Sequence, residues 1–437
     1  MAFARPTFGV NHVLAYGQSL SSGWEGWPAL SHIPQPGCLM LGESVHPAHE
    51  HAPHWQPIGA AMFRPLAATV QGDAMTLLSP AEVAALPPGN TARGETILEA
   101  ALNTWRARMR ADGAADAVLL GSSCGVGGRN IEALSRHAEP DLFNRLRDCA
   151  TLGRQVAHAH GRSYGIVALL FLQGEFNAIG HEGCVSDRAG YRALAERLFD
   201  DMRSEIAGRI AGQALMPCVF TYQTGGTYAG EDNAVAQAQL ETALSYPGCT
   251  LVAPSYPMPE KGGHLDANGY RWLGVQFGRA LHRVLTLGQR WRPLHPLGAE
   301  AHGRRVLVAF HVPVPPLAWG LPFMGQTRVP IDDRGFTVLD AAGAVPIETV
   351  EIETATTLRI GLGRDLIGPA ILRYADRAHH GRGCLHDSDA DVAEYRYEYD
   401  PKAGHYPSAD QPDLNGKPYP LMNWCVAFAI PVAMVPG

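Results

Sequence analysis

The chain's 437 residues are too many for one compact domain and enough for two with substantial cores. Hydrophobic residues make up 46% and charged residues 18%, a balance that excludes intrinsic disorder. With 42 acidic against 35 basic residues and a net charge of −7, no basic surplus exists to neutralise a phosphate backbone, so nucleic acid is not an expected partner.

The opening stretch, Met1-Ala-Phe-Ala-Arg-Pro-Thr-Phe-Gly9, shows no apolar leader with a small-residue cleavage site, which makes a cytoplasmic protein the default expectation. Nowhere does an apolar run approach the roughly 20 residues that span a bilayer, so no membrane partner is expected. The eight cysteines, at 38, 124, 149, 184, 218, 249, 384 and 425, include no C-x2-C pair and no zinc signature. Several sit in apolar runs, where a small buried thiol in a reducing compartment is the ordinary reading.

Short, continuously apolar runs at 12–16, 117–120, 164–172, 217–222 and 249–253 read as strands covered on both faces. Between them the spacing predicts helices. Leu142, Leu146, Cys149 and Val156 form one stripe, and Tyr191, Leu194, Leu198, Met202 and Ile206 a second. Tyr270, Leu273, Phe277 and Leu281 form a third, over residues 268–285. Strand alternating with helix predicts an α/β fold with a doubly wound parallel sheet. Residues 24–95, rich in Pro, Gly and His, read as an excursion over the sheet rim, partly helical at 80–86. Beyond residue 291 the pattern changes to short strands at 305–312, 335–339, 349–352, 357–360, 370–374 and 424–428, separated by turn residues. That predicts a second, all-β, sandwich-like domain over 291–437 behind an α/β domain over 1–290. No internal repeat is visible.

Four segments could carry chemistry. Gly17-Gln18-Ser19 follows the first strand, where a hydroxyl would stand at the C-terminal edge of the sheet, although the Gly-x-Ser-x-Gly elbow is absent because position 21 is Ser. Taken alone, Ser19 reads first as a helix N-cap, and a nucleophile is the weaker reading. Gly127-Gly128-Arg129-Asn130-Ile131 follows the second strand with glycines that let backbone N–H groups approach a ligand; no G-x-G-x-x-G spacing accompanies them, so no dinucleotide cofactor is expected. Gln173-Gly174-Glu175 ends the most apolar strand, where Gln173 could donate to an oxyanion and Glu175 could orient a histidine or substrate, or both could tie down a loop. His264 lies ahead of the last helix and shares the same sheet edge, which gives it a nucleophile to serve as general base.

These four blocks, in this order, resemble the SGNH hydrolases, in the sialate O-acetylesterase-like branch of carbohydrate acetylesterases. The resemblance spans residues 10–285 and implies a flavodoxin-like sheet and a metal-independent, cofactor-free serine esterase. It implies Ser19 as nucleophile and His264 as base, with an oxyanion hole from the Ser19 N–H, the Gly128 N–H and the Gln173 side chain. Asn130, Glu175 and Trp24 would bind or orient substrate, an acetylated carbohydrate. The family's acid, three residues before the histidine, is replaced here by Lys261. Glu260 is the favoured third member, with Asp266, Glu175 or a Ser-His dyad as alternatives. Two other readings stay open: an esterase for a non-carbohydrate short-chain ester, and a glycan-binding module whose hydrolase site has decayed. A homo-oligomer is also left open.

Three further features are weighed. The histidines at 46, 49, 51 and 54 read as solvated or substrate-facing rather than metal ligands. Asp387, Asp389 and Asp391 echo a calcium loop, but Val392 stands where that loop needs Gly, so no calcium site is expected. Trp24 with Trp27 forms an apolar or sugar-stacking wall, or simply packs in the excursion.

Overall fold

The computed structural model of the chain describes residues 2–113, 117–323 and 330–435. Met1 and the last two residues of the predicted second domain therefore lie outside the described residues.

A seven-stranded sheet is built around β1 (Val10–Gly17), all eight of whose residues are buried. The others are β2 (Cys38–Leu41), β3 (Phe63–Pro65), β4 (Leu119–Ser123), β5 (Tyr164–Leu172), β6 (Cys218–Gln223) and β7 (Cys249–Pro254). Their order is β3-β2-β4-β1-β5-β6-β7, with every pair parallel except β2–β3. Alternate residues of β1 feed opposite layers. Val13 and Ala15 pack with the helices Ile97–Ala111 and Ala267–Leu281, while Leu14 and Tyr16 pack with Asn144–Ala159 and Arg188–Asp201. The continuous apolar runs follow from this, since a strand covered on both faces has no side left for water. Because β4 and β5 flank β1, the connections leave its C-terminal tip in opposite directions and open a crevice there.

The residues 24–95 are more than an excursion. They hold the expected helix, Pro80–Ala84, started by a Ser79/Glu82 capping box, but also β2 and β3, which extend the main sheet. Strands of four and three residues carry too little pattern to stand out among Pro and Gly.

The short strands beyond residue 291 gather into one eight-stranded sheet, flanked by two two-stranded ribbons. The sheet is antiparallel except where Phe428–Met434 runs parallel to β8 (His295–His302). The final strand starts at Phe428, where the sequence placed one at 424–428; Trp424 and Cys425 make only isolated bridges. Apolar patterning locates strands but does not say which edges close on one another. This layer packs against the helix Ala267–Leu281: Trp272 stacks on Tyr419 with ring centroids 4.9 Å apart, and its Nε1 donates to Pro420 O at 2.9 Å. Among the described residues no helix is long and apolar enough to cross a membrane.

Candidate active site

β1 ends in Gly17 at φ +148°, where a Cβ would stand 1.9 Å from Leu172 O. Only glycine lets β1 close against β5 at this tip. Ser19 opens a 3₁₀ turn, Ser19–Ser22, secured by Ser21 Oγ donating to Gln18 O at 2.6 Å. That turn holds Ser19 at 7% exposure, beside the crevice.

His264 arrives from the opposite end of the chain. Residues 260–265 form a tight turn, with Lys261 N donating to His264 O at 2.7 Å, and Asp266 then caps the helix Ala267–Leu281 through Gly269 N at 2.7 Å. Asp266 is thereby spent on the cap and makes no hydrogen bond to the imidazole. Ser19 Oγ donates to His264 Nε2 at 2.9 Å, and His264 Nδ1 donates to Glu25 Oε1 at 3.3 Å. A hydroxyl donor on one ring nitrogen and a carboxylate on the other select the Nδ1–H tautomer, which leaves Nε2 free to take the serine proton.

The carboxylate on His264 is therefore Glu25. Glu260, the favoured candidate from sequence, pairs its backbone with Leu265 and faces Arg382, with burial raising its carboxyl above the usual range. The turn's geometry explains this, because residues four apart across a tight turn need not present side chains to the same point. Glu25 sits in the left-handed region at φ +61°, in a Gly23-Trp24-Glu25-Gly26 loop locked to the excursion by Glu25 N donating to Ala92 O. A left-handed residue other than glycine is costly, and here the strained turn directs a carboxylate at the histidine. Its signal was a lone Glu between glycine and tryptophan, six residues past Ser19.

Lys261, at the family's acid position, turns away. Its Nζ donates to Trp27 O at 3.0 Å and sits 4.0 Å from the Trp27 ring and 4.5 Å from that of Tyr406, and burial lowers its pKa to about 8.

Of the proposed oxyanion donors, the Ser19 and Gly128 N–H groups make no hydrogen bond among the described residues and remain available. Gln173 does not. It is fully buried, with Nε2 donating to Asn177 Oδ1 at 2.6 Å and Gln18 Oε1 at 3.2 Å, and Oε1 accepting from Tyr191 OH at 2.9 Å. A primary amide has two N–H donors, and both are committed. Asn130 likewise caps the helix Ile131–Leu134 by accepting from Ala133 N. Glu175 lies behind the site, accepting from Tyr222 OH, with burial raising its carboxyl above the usual range. Trp24 is in place against the imidazole, ring centroids 6.0 Å apart.

Glu50, passed over in the sequence, organises this wall. Its Oε1 accepts from Gly127 N at 2.9 Å, Trp24 Nε1 at 3.0 Å and Ser22 Oγ at 3.3 Å, so one buried carboxylate ties together the Ser19–Ser22 turn, the glycine block and the tryptophan beside His264. Arg145 fixes the backbone around it by donating to the carbonyls of His49, Glu50, Ala52, Cys124 and Gly125.

Other polar features have ordinary partners. His46 Nε2 meets Gly94 O at 3.0 Å, His54 pairs with Asp148, Asp389 with Arg279, and Asp391 with Arg108. Trp27 is buried, its Nε1 donating to Asn90 O. Among the described residues no group of three or more His, Cys, Asp or Glu side chains is placed to hold a metal ion.

No family model and no curated protein matches this chain. Among solved structures it is similar to a carbohydrate acetylesterase from Xanthomonas citri, at 15% identity and TM-score 0.53, over 86% of this chain and 77% of that one. The likeness is one of fold. Two smaller structures align with 62% of this chain: a protein from Arabidopsis thaliana (15% identity, 97% of its length, TM-score 0.41) and NanS (12% identity, 96% of its length, TM-score 0.40).

Proposed function

We propose that this chain is a serine esterase of the SGNH type that removes O-acetyl groups from a carbohydrate. The observation that carries the reading is the Glu25–His264–Ser19 relay, with contacts of 3.3 and 2.9 Å assembled from segments 239 and 245 residues apart. The β4-β1-β5-β6-β7 order supports a flavodoxin-like sheet, and the likeness to an acetylesterase fold supports the carbohydrate side of the reading. Residues 1–290 would then be the catalytic domain and 291–437 an accessory β domain braced against the helix that follows His264.

Ser19 Oγ attacks the acyl carbonyl as Nε2 takes its proton, and Glu25 stabilises the imidazolium that forms. The Ser19 and Gly128 N–H groups receive the oxyanion, each contributing about 2.7–4 kcal/mol. The imidazolium then protonates the departing sugar oxygen, and a water activated by His264 hydrolyses the acetyl-enzyme. Gln173 acts in this scheme only by bracing the loop.

Acetate release from acetylated glycans, with p-nitrophenyl acetate as a generic ester, tests the proposal. Ser19→Ala should abolish both activities, and undiminished hydrolysis by that variant would remove Ser19 from the mechanism. A strong preference for acyl chains beyond butyrate would favour a non-carbohydrate ester instead. The decayed-module reading drew its support from Lys261, and Glu25 on Nδ1 removes that support.

A further inference from the structure

A second cleft, of about 570 Å³, lies at the opposite end of the parallel sheet from Ser19. Cys218 and Cys249, the first residues of β6 and β7, form part of its floor, so six-residue strands, roughly 20 Å long, separate it from the catalytic edge. Arg5, Arg290 and Arg292 line it, and no Asp or Glu does. All three are exposed, and none makes a salt bridge or side-chain hydrogen bond among the described residues. In a chain of net charge −7, this is an unneutralised concentration of positive charge.

Behind the lining residues sits a fourth cation. Arg203, 8% exposed, is sandwiched between the Phe3 and Tyr246 rings, 5.3 and 4.8 Å from its guanidinium carbon, and both rings line the cleft. Its Nε donates to Pro217 O at 3.1 Å, but its Nη2 is buried without a hydrogen-bond partner. Gly248, another lining residue, packs close against this stack: a Cβ there would stand 2.4 Å from the Phe3 ring and 2.9 Å from Nη2. A buried guanidinium nitrogen without an acceptor is costly. Half-buried Trp291 and Tyr246 supply aromatic surface between the charges.

We propose that this cleft binds a carboxylate-bearing glycan segment, separate from the catalytic crevice. The arginines present forks matched to carboxylates, the aromatic faces suit sugar rings, and the volume suits a short oligosaccharide. The reading stands independently of the esterase proposal, because no residue of the relay contributes to the cleft.

Calorimetric titration of the full chain with tetragalacturonate tests it, with cellotetraose, inorganic sulfate and a short DNA duplex as comparison probes. Saturable, salt-sensitive binding of tetragalacturonate is expected, weakened roughly tenfold or more in Arg290→Ala/Arg292→Ala. The Arg290→Lys/Arg292→Lys variant should recover part of that loss, since charge returns without the bidentate fork. These side chains are exposed, so the melting temperature should stay at the wild-type value and certify folding. No binding of tetragalacturonate would overturn the proposal, as would undiminished binding by the double alanine variant. Equal affinity for cellotetraose, sulfate or the duplex would also overturn it, by showing that the acidic sugar is not what is recognised.

Discussion

The two ends of the parallel sheet treat polarity in opposite ways. At the C-terminal edge many polar groups are held by several protein partners each, although Glu50 Oε2 and Glu175 Oε2 are buried without a hydrogen-bond partner. Glu50 collects three donors, Arg145 donates to five carbonyls, and Gln173 has both amide hydrogens engaged. Among the described residues the Ser19–His264 pair and the Ser19 and Gly128 N–H groups face the crevice with capacity left. At the N-terminal edge Arg5, Arg290 and Arg292 have no side-chain acceptor among the described residues. A catalytic centre needs groups held to a fraction of an ångström, and a satisfied network supplies that rigidity. A site that only captures an anion can leave its donors in water until the ligand arrives.

The largest expected effect comes from removing the proposed nucleophile. Ser19→Ala should lower p-nitrophenyl acetate turnover by roughly 10³-fold or more, leaving the melting temperature unchanged. Retained turnover would mean that the ordered edge is merely structural. Next is Glu25→Gln, which keeps the shape but permits the wrong imidazole tautomer; a fall in kcat of about 10²–10⁴-fold is expected. Glu260→Gln should change kcat far less, and the reverse ranking would restore Glu260 as the third member.

Two stability measurements sharpen the contrast. Gly17→Ala drives a Cβ into Leu172 O, so the strand tip must shift and unfolding free energy should drop by about 3 kcal/mol or more in denaturant titrations. A loss within a few tenths would show that the tip is less tightly closed. His46, fully buried beside Arg93, has its pKa lowered by burial to about 4, from an ordinary 6.5. Between those values the unfolded chain binds the proton that the folded chain refuses, so stability is full above 6.5 and falls as pH drops towards 4. The loss at the acid end should be about 3 kcal/mol, and His46→Gln should flatten that stretch of the pH profile. An unchanged slope in the variant would assign the acid lability to other groups.

Much of the parallel layer was legible because a strand buried on both faces must be apolar throughout. β1 and β5 to β7 fall at or within a few residues of the predicted runs. That Ser19 and His264 come together was legible because each stands where a strand or loop meets the crevice edge. Gln173 was read as a donor to the site because an amide near a strand end can serve a ligand or the backbone, and only the positions of Tyr191, Gln18 and Asn177 show both its hydrogens engaged. Glu25 was missed because the acid was sought beside His264 or at the ends of the parallel strands, whereas it stands on a loop of the excursion, 239 residues from His264. β2 and β3 were hidden by their length.

The amino-acid order alone determined the alternation of strand and helix, the change to short strands near residue 291, and the residue types able to perform acyl transfer, since these depend on local periodicity and side-chain chemistry. The tertiary structure decided which carboxylate meets the imidazole, which amides are already occupied, and where unpaired arginines converge. Those outcomes depend on distances between segments remote in the chain, which no local pattern encodes.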